Sequence, residues 1–237
     1  MRPTIPLGEL IVYLFGADDS ALAAEVGGWL ASSPRFRAFA ETYRDKIRKK
    51  ARVLREDEAR RDLAFELAIA VRLVEERRFA VEYESYGMGQ RAPDFRVTFR
   101  SGIRFNVEVR RLRGREPTGT PADSARITRA VIDKLGQLPP SMINVLVLGS
   151  DGPALAADAL APTMLGLQDR AARRDEVFFQ RHGFAGSRDF LRHYQRLSGA
   201  LWLGGEPGAA RASRWPNPQA RHPLPADLAR ALTNAVV

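Results

Sequence analysis

The stretch Ala92-Pro-Asp-Phe-Arg-Val-Thr-Phe-Arg-Ser-Gly-Ile-Arg-Phe-Asn-Val-Glu-Val-Arg110 decides the reading of this chain. Apolar residues alternate at Phe95, Val97 and Phe99, and again at Ile103, Phe105, Val107 and Val109. Between them lie Asp94, Arg96 and Thr98 on one run, and Arg104, Asn106, Glu108 and Arg110 on the other. A period of two with one apolar and one polar face predicts two strands. A connection of Arg100, Ser101 and Gly102 pairs Phe99 with Ile103, Val97 with Phe105 and Phe95 with Val107. A two-residue turn would set Asp94 against Val109 and mix the faces, so the hydrophobic pattern selects the longer loop. In that register Asp94 faces Glu108. Cross-strand Cβ atoms lie about 5 Å apart, where two unit charges repel by roughly 3 kcal/mol at an effective dielectric of 20. The pair therefore calls for a divalent metal, a nearby Arg or Lys, or a shared proton.

Upstream, Glu56 to Arg78 reads as a helix carrying an anomaly at Glu66, whose same-face neighbours Leu63, Ile69, Ala70 and Leu73 are apolar. A carboxylate aimed at a core is either a site residue or the partner of a buried arginine, and the site is the favoured reading. Phe79 to Glu84 alternates as a strand and leads into the loop Tyr86-Gly-Met-Gly89. Downstream, Arg111 to Gly119 is a basic loop, Thr120-Pro121 opens a helix running to about Leu138, and Met142 to Leu148 is a buried strand. From Glu56 to Ser150 the order is helix, three strands, helix, strand, which predicts an α/β fold with a mixed sheet.

These residues resemble the PD-(D/E)XK, or restriction-endonuclease-like, nuclease superfamily. The match is Pro93-Asp94 followed by Glu108-Val109-Arg110, with Glu66 on the leading helix, and it spans residues 56–150. The resemblance implies a restriction-endonuclease-like αβββαβ core at 56–150, with an N-terminal helical extension at 1–55 and a C-terminal helical region at 151–237 packing on it. It implies further that Asp94, Glu108, the Val109 carbonyl and Glu66 bind Mg2+ or Mn2+, and that the protein cleaves nucleic acid, in the first instance DNA. Magnesium suits such oxygen ligands and would activate a water against a phosphodiester. Members of the superfamily often act as dimers, so a homodimer is among the expectations.

The sequence departs from the pattern at Arg110, where lysine is usual. An arginine can hold a phosphate or stabilise developing charge, but it does not take a proton from water. Lys134 is a substitute, because Ile127, Ala130, Val131 and Leu138 at helical spacing are apolar and turn it toward the sheet. Gln137, further along that helix, could hold a water or a substrate group. In the alternative, Arg110 and Lys134 neutralise Glu66, Asp94 and Glu108 without any metal. The chain is then a nucleic-acid-binding module that does not cleave, or an interaction domain with no nucleic-acid role.

The 237 residues are 45% hydrophobic and 27% charged, enough for a substantial core. Net charge is +9 with pI near 10.5, and Lys46, Lys49, Lys50 and Lys134 are the only lysines among many arginines. That balance suits a polyanionic partner, though arginine-biased composition on a solvated surface would produce it too. Without cysteine there are no disulfides, thiolate zinc sites or cysteine nucleophiles. The apolar run Leu10 to Phe15 is too short to span a bilayer and Asp18 and Asp19 follow it, so no membrane association and a cytoplasmic location are expected. His182, His193 and His222 lack the spacing of a helical zinc pair, and Gly149-Ser-Asp-Gly152 lacks the leading glycine of a nucleophile elbow.

Elsewhere the sequence predicts a strand or short helix at 5–15, a helix from Asp18 to Ser32 interrupted at Gly27 and Gly28, and one basic helix from Arg35 to about Arg55. After residue 151 the pattern is helical, with a core cluster of Phe178, Phe179, Phe184, Phe190 and Tyr194 and a strand at Gly199 to Leu203. The proline-rich run from Trp215 to Pro225 is expected along the surface, before a final helix from Ala226.

Overall fold

In the computed structural model of the chain, strands β2 (Phe95–Phe99) and β3 (Ile103–Leu112) pair antiparallel in the register Phe95↔Val107, Val97↔Phe105 and Phe99↔Ile103. That is the register the alternation predicts. The structure describes residues 5–16, 20–84, 93–100, 102–113, 120–150, 159–204 and 211–236. The expected loops at Tyr86-Gly-Met-Gly89 and through Gly114 to Gly119, and the end of the Gly149–Gly152 turn, lie outside them. The chain forms two compact units, Met1–Val81 and Glu82–Val237.

The first unit holds α1 (Leu7–Phe15), α2 (Ala21–Ser32), α3 (Pro34–Thr42), α4 (Arg44–Val53) and α5 (Asp57–Glu75). Side-chain oxygens start two of them. Ser20 accepts from the Ala23 N–H and Ser33 from the Phe36 N–H, with Pro34 in the first turn of α3. Gly27 and Gly28 do not interrupt α2. A Cβ at Gly27 would lie 3.2 Å from the Ile11 side chain, so the missing methyl lets α1 come close. The basic stretch is two helices rather than one, broken at Tyr43, whose N–H donates to the Phe39 carbonyl of α3 and whose carbonyl accepts the first bonds of α4. Leu10, Leu14, Leu30, Phe36, Leu67 and Leu73 are fully buried in this unit. Burying side chains of this size contributes about 1.5–3 kcal/mol each.

Strand β1 (Phe79–Tyr83) crosses the boundary between the units. After the hairpin come α6 (Thr120–Leu135), β4 (Ile143–Ser150), α7 (Leu160–Ala172), α8 (Glu176–Arg181), α9 (Ser187–Tyr194), β5 (Gly199–Gly204), β6 (Arg211–Pro216) and α10 (Ala226–Val236). The six strands form one mixed sheet in the order β1-β2-β3-β4-β5-β6. β3 pairs parallel with β4 and β4 with β5, while β2 pairs antiparallel with β3 and β6 with β5. The order helix, three strands, helix, strand from Asp57 to Ser150 is the predicted one. Among the described residues no helix is long and apolar enough to cross a membrane.

Two differences from the sequence reading bear on the site. The face of β3 expected to be polar is covered, with Asn106 and Glu108 at 0% and 1% exposure. In the parallel ladder Asn106, Glu108 and Arg110 align with Asn144, Leu146 and Leu148, and the last two belong to the core built with Ile127, Val131 and Leu135 of α6. The helix that carries the crossover from β3 to β4 closes over that face. Asn106 keeps its amide satisfied by donating to Asn144 at 2.9 Å. The proline-rich segment also differs, because Trp215 and Asn217 are buried and Asn217 donates to the Tyr194 and Leu197 carbonyls. Pro216 is tolerated because β6 is an edge strand.

Candidate functional site

The hairpin register ends at Phe95↔Val107, so the next residues outward are Asp94 and Glu108. Asp94 sits in a bend before β2, where its backbone carbonyl accepts from the Glu84 N–H. Its side-chain Oδ2 accepts from the Val109 N–H at 2.8 Å. The carboxylate thus extends the ladder by one rung beyond the strand. A charged acceptor on a backbone donor is about twice as strong as a neutral one.

One oxygen of Glu108 is met from α6. Lys134, the penultimate residue of α6, donates from Nζ to Glu108 Oε1, and its side chain retains 16% exposure against 1% for the carboxylate. α6 ends at Leu135 rather than near Leu138; Val131, one turn before Lys134 on its face, is buried at 0%, and Leu138 in the following turn at 2%, so the lysine turns inward. Gln137 follows the end of the helix and receives a long contact of 3.5 Å from the same ammonium. The positive charge that the paired acids require is supplied by a lysine, and each acid has its own partner.

Structure thus brings together Asp94, Val109, Glu108, Lys134 and Gln137. Glu66 belongs to the first unit, where Lys50 of α4 meets its Oε1 at 2.7 Å and its side chain is 14% exposed. The sequence reading favoured Glu66 as a site residue over the partner of a buried arginine; in the structure Lys50, on the preceding helix, pairs with it. Arg110 is half-buried and lines a cleft of about 230 Å³ together with Arg111, Leu112, Arg113, Arg126, Arg129, Ala130 and Asp133. Of these, the sequence reading singled out Arg110 alone as a site residue. The spacing of Arg126, Arg129, Ala130 and Asp133 would have marked one helical face, but nothing local says that this face meets the end of β3.

Among the described residues no three His, Cys, Asp or Glu side chains gather as a metal-holding group. The oxygen donors of Asp94, Glu108 and the Val109 carbonyl are nonetheless of the hard type that magnesium accepts alongside retained waters, so the donor chemistry fits. Compared with protein-family models, curated proteins and solved structures, the chain gives no significant match.

Proposed function

We propose that this chain is a metal-dependent nuclease of the restriction-endonuclease-like kind, hydrolysing phosphodiester bonds in DNA. The observation that carries the reading is the ammonium of Lys134 delivered from α6 onto Glu108, two residues from the Arg110 that replaces the usual lysine. The element order and the Asp94–Glu108 register support it. Asp94, Glu108 and the Val109 carbonyl would hold Mg2+ or Mn2+, which when bound would polarise the phosphodiester and ease deprotonation of an attacking water. Lys134 places a positive charge beside Glu108, where charge develops on the phosphoryl oxygens. Gln137 orients a water or a substrate oxygen, and Arg110 holds a neighbouring phosphate through its planar guanidinium. Glu66 is a further acid of the expected site, here held by Lys50.

A second reading, a nucleic-acid-binding scaffold without cleavage, is favoured by the burial of Glu108, since a carboxylate already paired with an ammonium is neutralised without a metal. One experiment separates the two. Asp94→Asn keeps an acceptor for the Val109 N–H and removes the charge. Magnesium or manganese should raise the melting temperature of the wild type and leave Asp94→Asn unmoved, and plasmid nicking should vanish in both Asp94→Asn and Glu108→Gln. Identical metal responses in wild type and Asp94→Asn would sink the nuclease reading. Salt-steep DNA binding without nicking would establish the scaffold.

A further inference from the structure

The ten residues of α4 include six basic side chains and a single acid, Asp45. Asp45 stands four residues before Lys49, the spacing at which opposite charges on a helix pair. That pair does not form. Asp45 Oδ1 accepts instead from the Tyr13 hydroxyl of α1, while Arg44 and Arg48 lie over the Tyr13 ring, their Cζ atoms 5.4 and 4.3 Å from its centre. One tyrosine thus takes up the only acid of the helix and steadies two guanidinium groups through their faces, which leaves their charge uncancelled. Lys50 is paired with Glu66 and Lys46 lies over the Tyr43 ring. Arg44, Arg48, Lys49 and Arg52 make no ion pair among the described residues. The acids that open α5 do not make up the difference, because Asp57 and Glu58 lie within reach of Arg60 and Arg61 on their own helix.

These four cations share one side of α4. Arg44, Arg48 and Arg52 follow one another at steps of four along a single row, and Lys49 is three residues before Arg52 on the neighbouring row. Arg44, Lys49 and Arg52 are exposed and Arg48 is half-buried. Eight residues of helix rise about 12 Å, and a duplex carries one charge per about 1.7 Å of its axis, so the row spans several phosphates. We propose that this side of α4 is a docking surface for the phosphate backbone of a nucleic-acid duplex, indifferent to sequence. A lipid surface fits less well, since a helix lying in it needs a free apolar face. Ile47 is turned into the unit at 1% exposure, and Val53, at 70%, is the one large apolar side chain of α4 in water. Single-strand binders add aromatic faces on which bases stack, whereas Tyr13 and Tyr43 already carry cations over their rings. The choice of nucleic acid among polyanions rests on the nuclease reading above; the unpaired charge does not.

The test is binding of the full chain to a short DNA duplex in EDTA, from about 50 to 200 mM salt, with Lys49→Gln and Arg52→Gln combined in one variant. Glutamine has a helix propensity close to that of lysine and arginine, and both side chains are exposed, so the melting temperature should not move. Each lost phosphate contact lowers the slope of log affinity against log salt by about 0.9. The double variant should therefore lose about two units of slope, and its deficit against wild type should shrink about tenfold across that salt range. The loss should be the same on A·T-rich and G·C-rich duplexes, as contacts to phosphate alone require. Arg188→Gln combined with Arg230→Gln removes equal charge from exposed positions of the second unit and should leave the slope unchanged. Asp94→Asn should bind as wild type does, so absence of nicking with duplex binding intact counts against the nuclease reading alone. Failure of wild type to bind the duplex, an unchanged slope in the α4 variant, or an equal loss in the Arg188 and Arg230 variant overturns the proposal. Tighter binding to the single strand, or capture on anionic phospholipid vesicles without binding to the duplex, overturns it as well.

Discussion

Each unit of this molecule contains a lysine bound to a glutamate across two elements, and the two pairs differ in how far they are withdrawn from water. Lys50 and Glu66 join α4 to α5 with side-chain exposures of 29% and 14%. Lys134 and Glu108 join α6 to β3 with 16% and 1%. In the first pair both ends reach solvent, so water screens their attraction and would solvate either one if left alone. In the second, the carboxylate is out of water and the lysine ammonium helps to replace its hydration shell. The same two side-chain types therefore make a partly solvated tie in one place and a buried one in the other. A buried carboxylate retained at that cost is a candidate for function.

The widest separation between the pairs should come from Lys134→Met, which takes the ammonium away from the buried Glu108 carboxylate. Removing one member of a buried pair costs about 3–5 kcal/mol, to be read as a lowered denaturant midpoint. Adding Glu108→Leu in the same chain should recover most of that loss, to within about 1 kcal/mol of the parent, because no lone charge remains. A single variant as stable as the parent would mean that Glu108 reaches water, and the contrast between the pairs would collapse.

Only part of this comparison was legible in the sequence. The hairpin was, because alternation and loop length jointly fix a register and a slip by one residue would turn Phe95, Val97 and Phe105 outward. Lys134 was also legible, since Val131 and Leu138 at helical spacing dictate its direction whatever it meets. Glu66 showed as a misplaced charge, but its partner did not. Lys50 sits sixteen residues earlier on another helix, and no local period connects the two. The covering of Glu108 was hidden for a related reason. Alternation separates the two faces of β3 without saying that the polar one lies beneath α6. The arginine cleft depends on the same crossover. Arg110 and Arg129 are ordinary solvated charges until the fold sets the end of the strand against the helix.

A smaller effect is expected at the half-buried pair. Lys50→Met should shift stability by about 0–1 kcal/mol, the range of partly solvated ion pairs, and the shift should shrink further at high salt. Measured beside Lys134→Met in the same denaturant titration, it tests whether burial alone sets the difference. If Lys50→Met matched the loss at Lys134, Glu66 would be as dependent on its lysine as Glu108 is, and its place as an expected site residue would gain weight.

The smallest effect concerns an acid facing a cation that can lose its charge, Asp189 and His193 on α9, 3.7 Å apart. Burial pushes the His193 imidazole below its usual value of 6.5, and repulsion from Arg196 and Arg192 adds to this, while Asp189 pulls the other way. The unfolded chain therefore takes up a proton at this residue before the folded one does. Stability from keeping the ring neutral is present in full above pH 6.5, declines as pH falls through that value, and flattens once the folded ring is also protonated. His193→Gln should remove this part of the slope between about pH 7 and pH 5 while leaving stability near pH 8 little changed. Chemical denaturation of both proteins across that range is the measurement. Parallel pH profiles for His193→Gln and wild type would show that Asp189 offsets the burial, and that even a half-covered carboxylate here outweighs two neighbouring guanidinium groups.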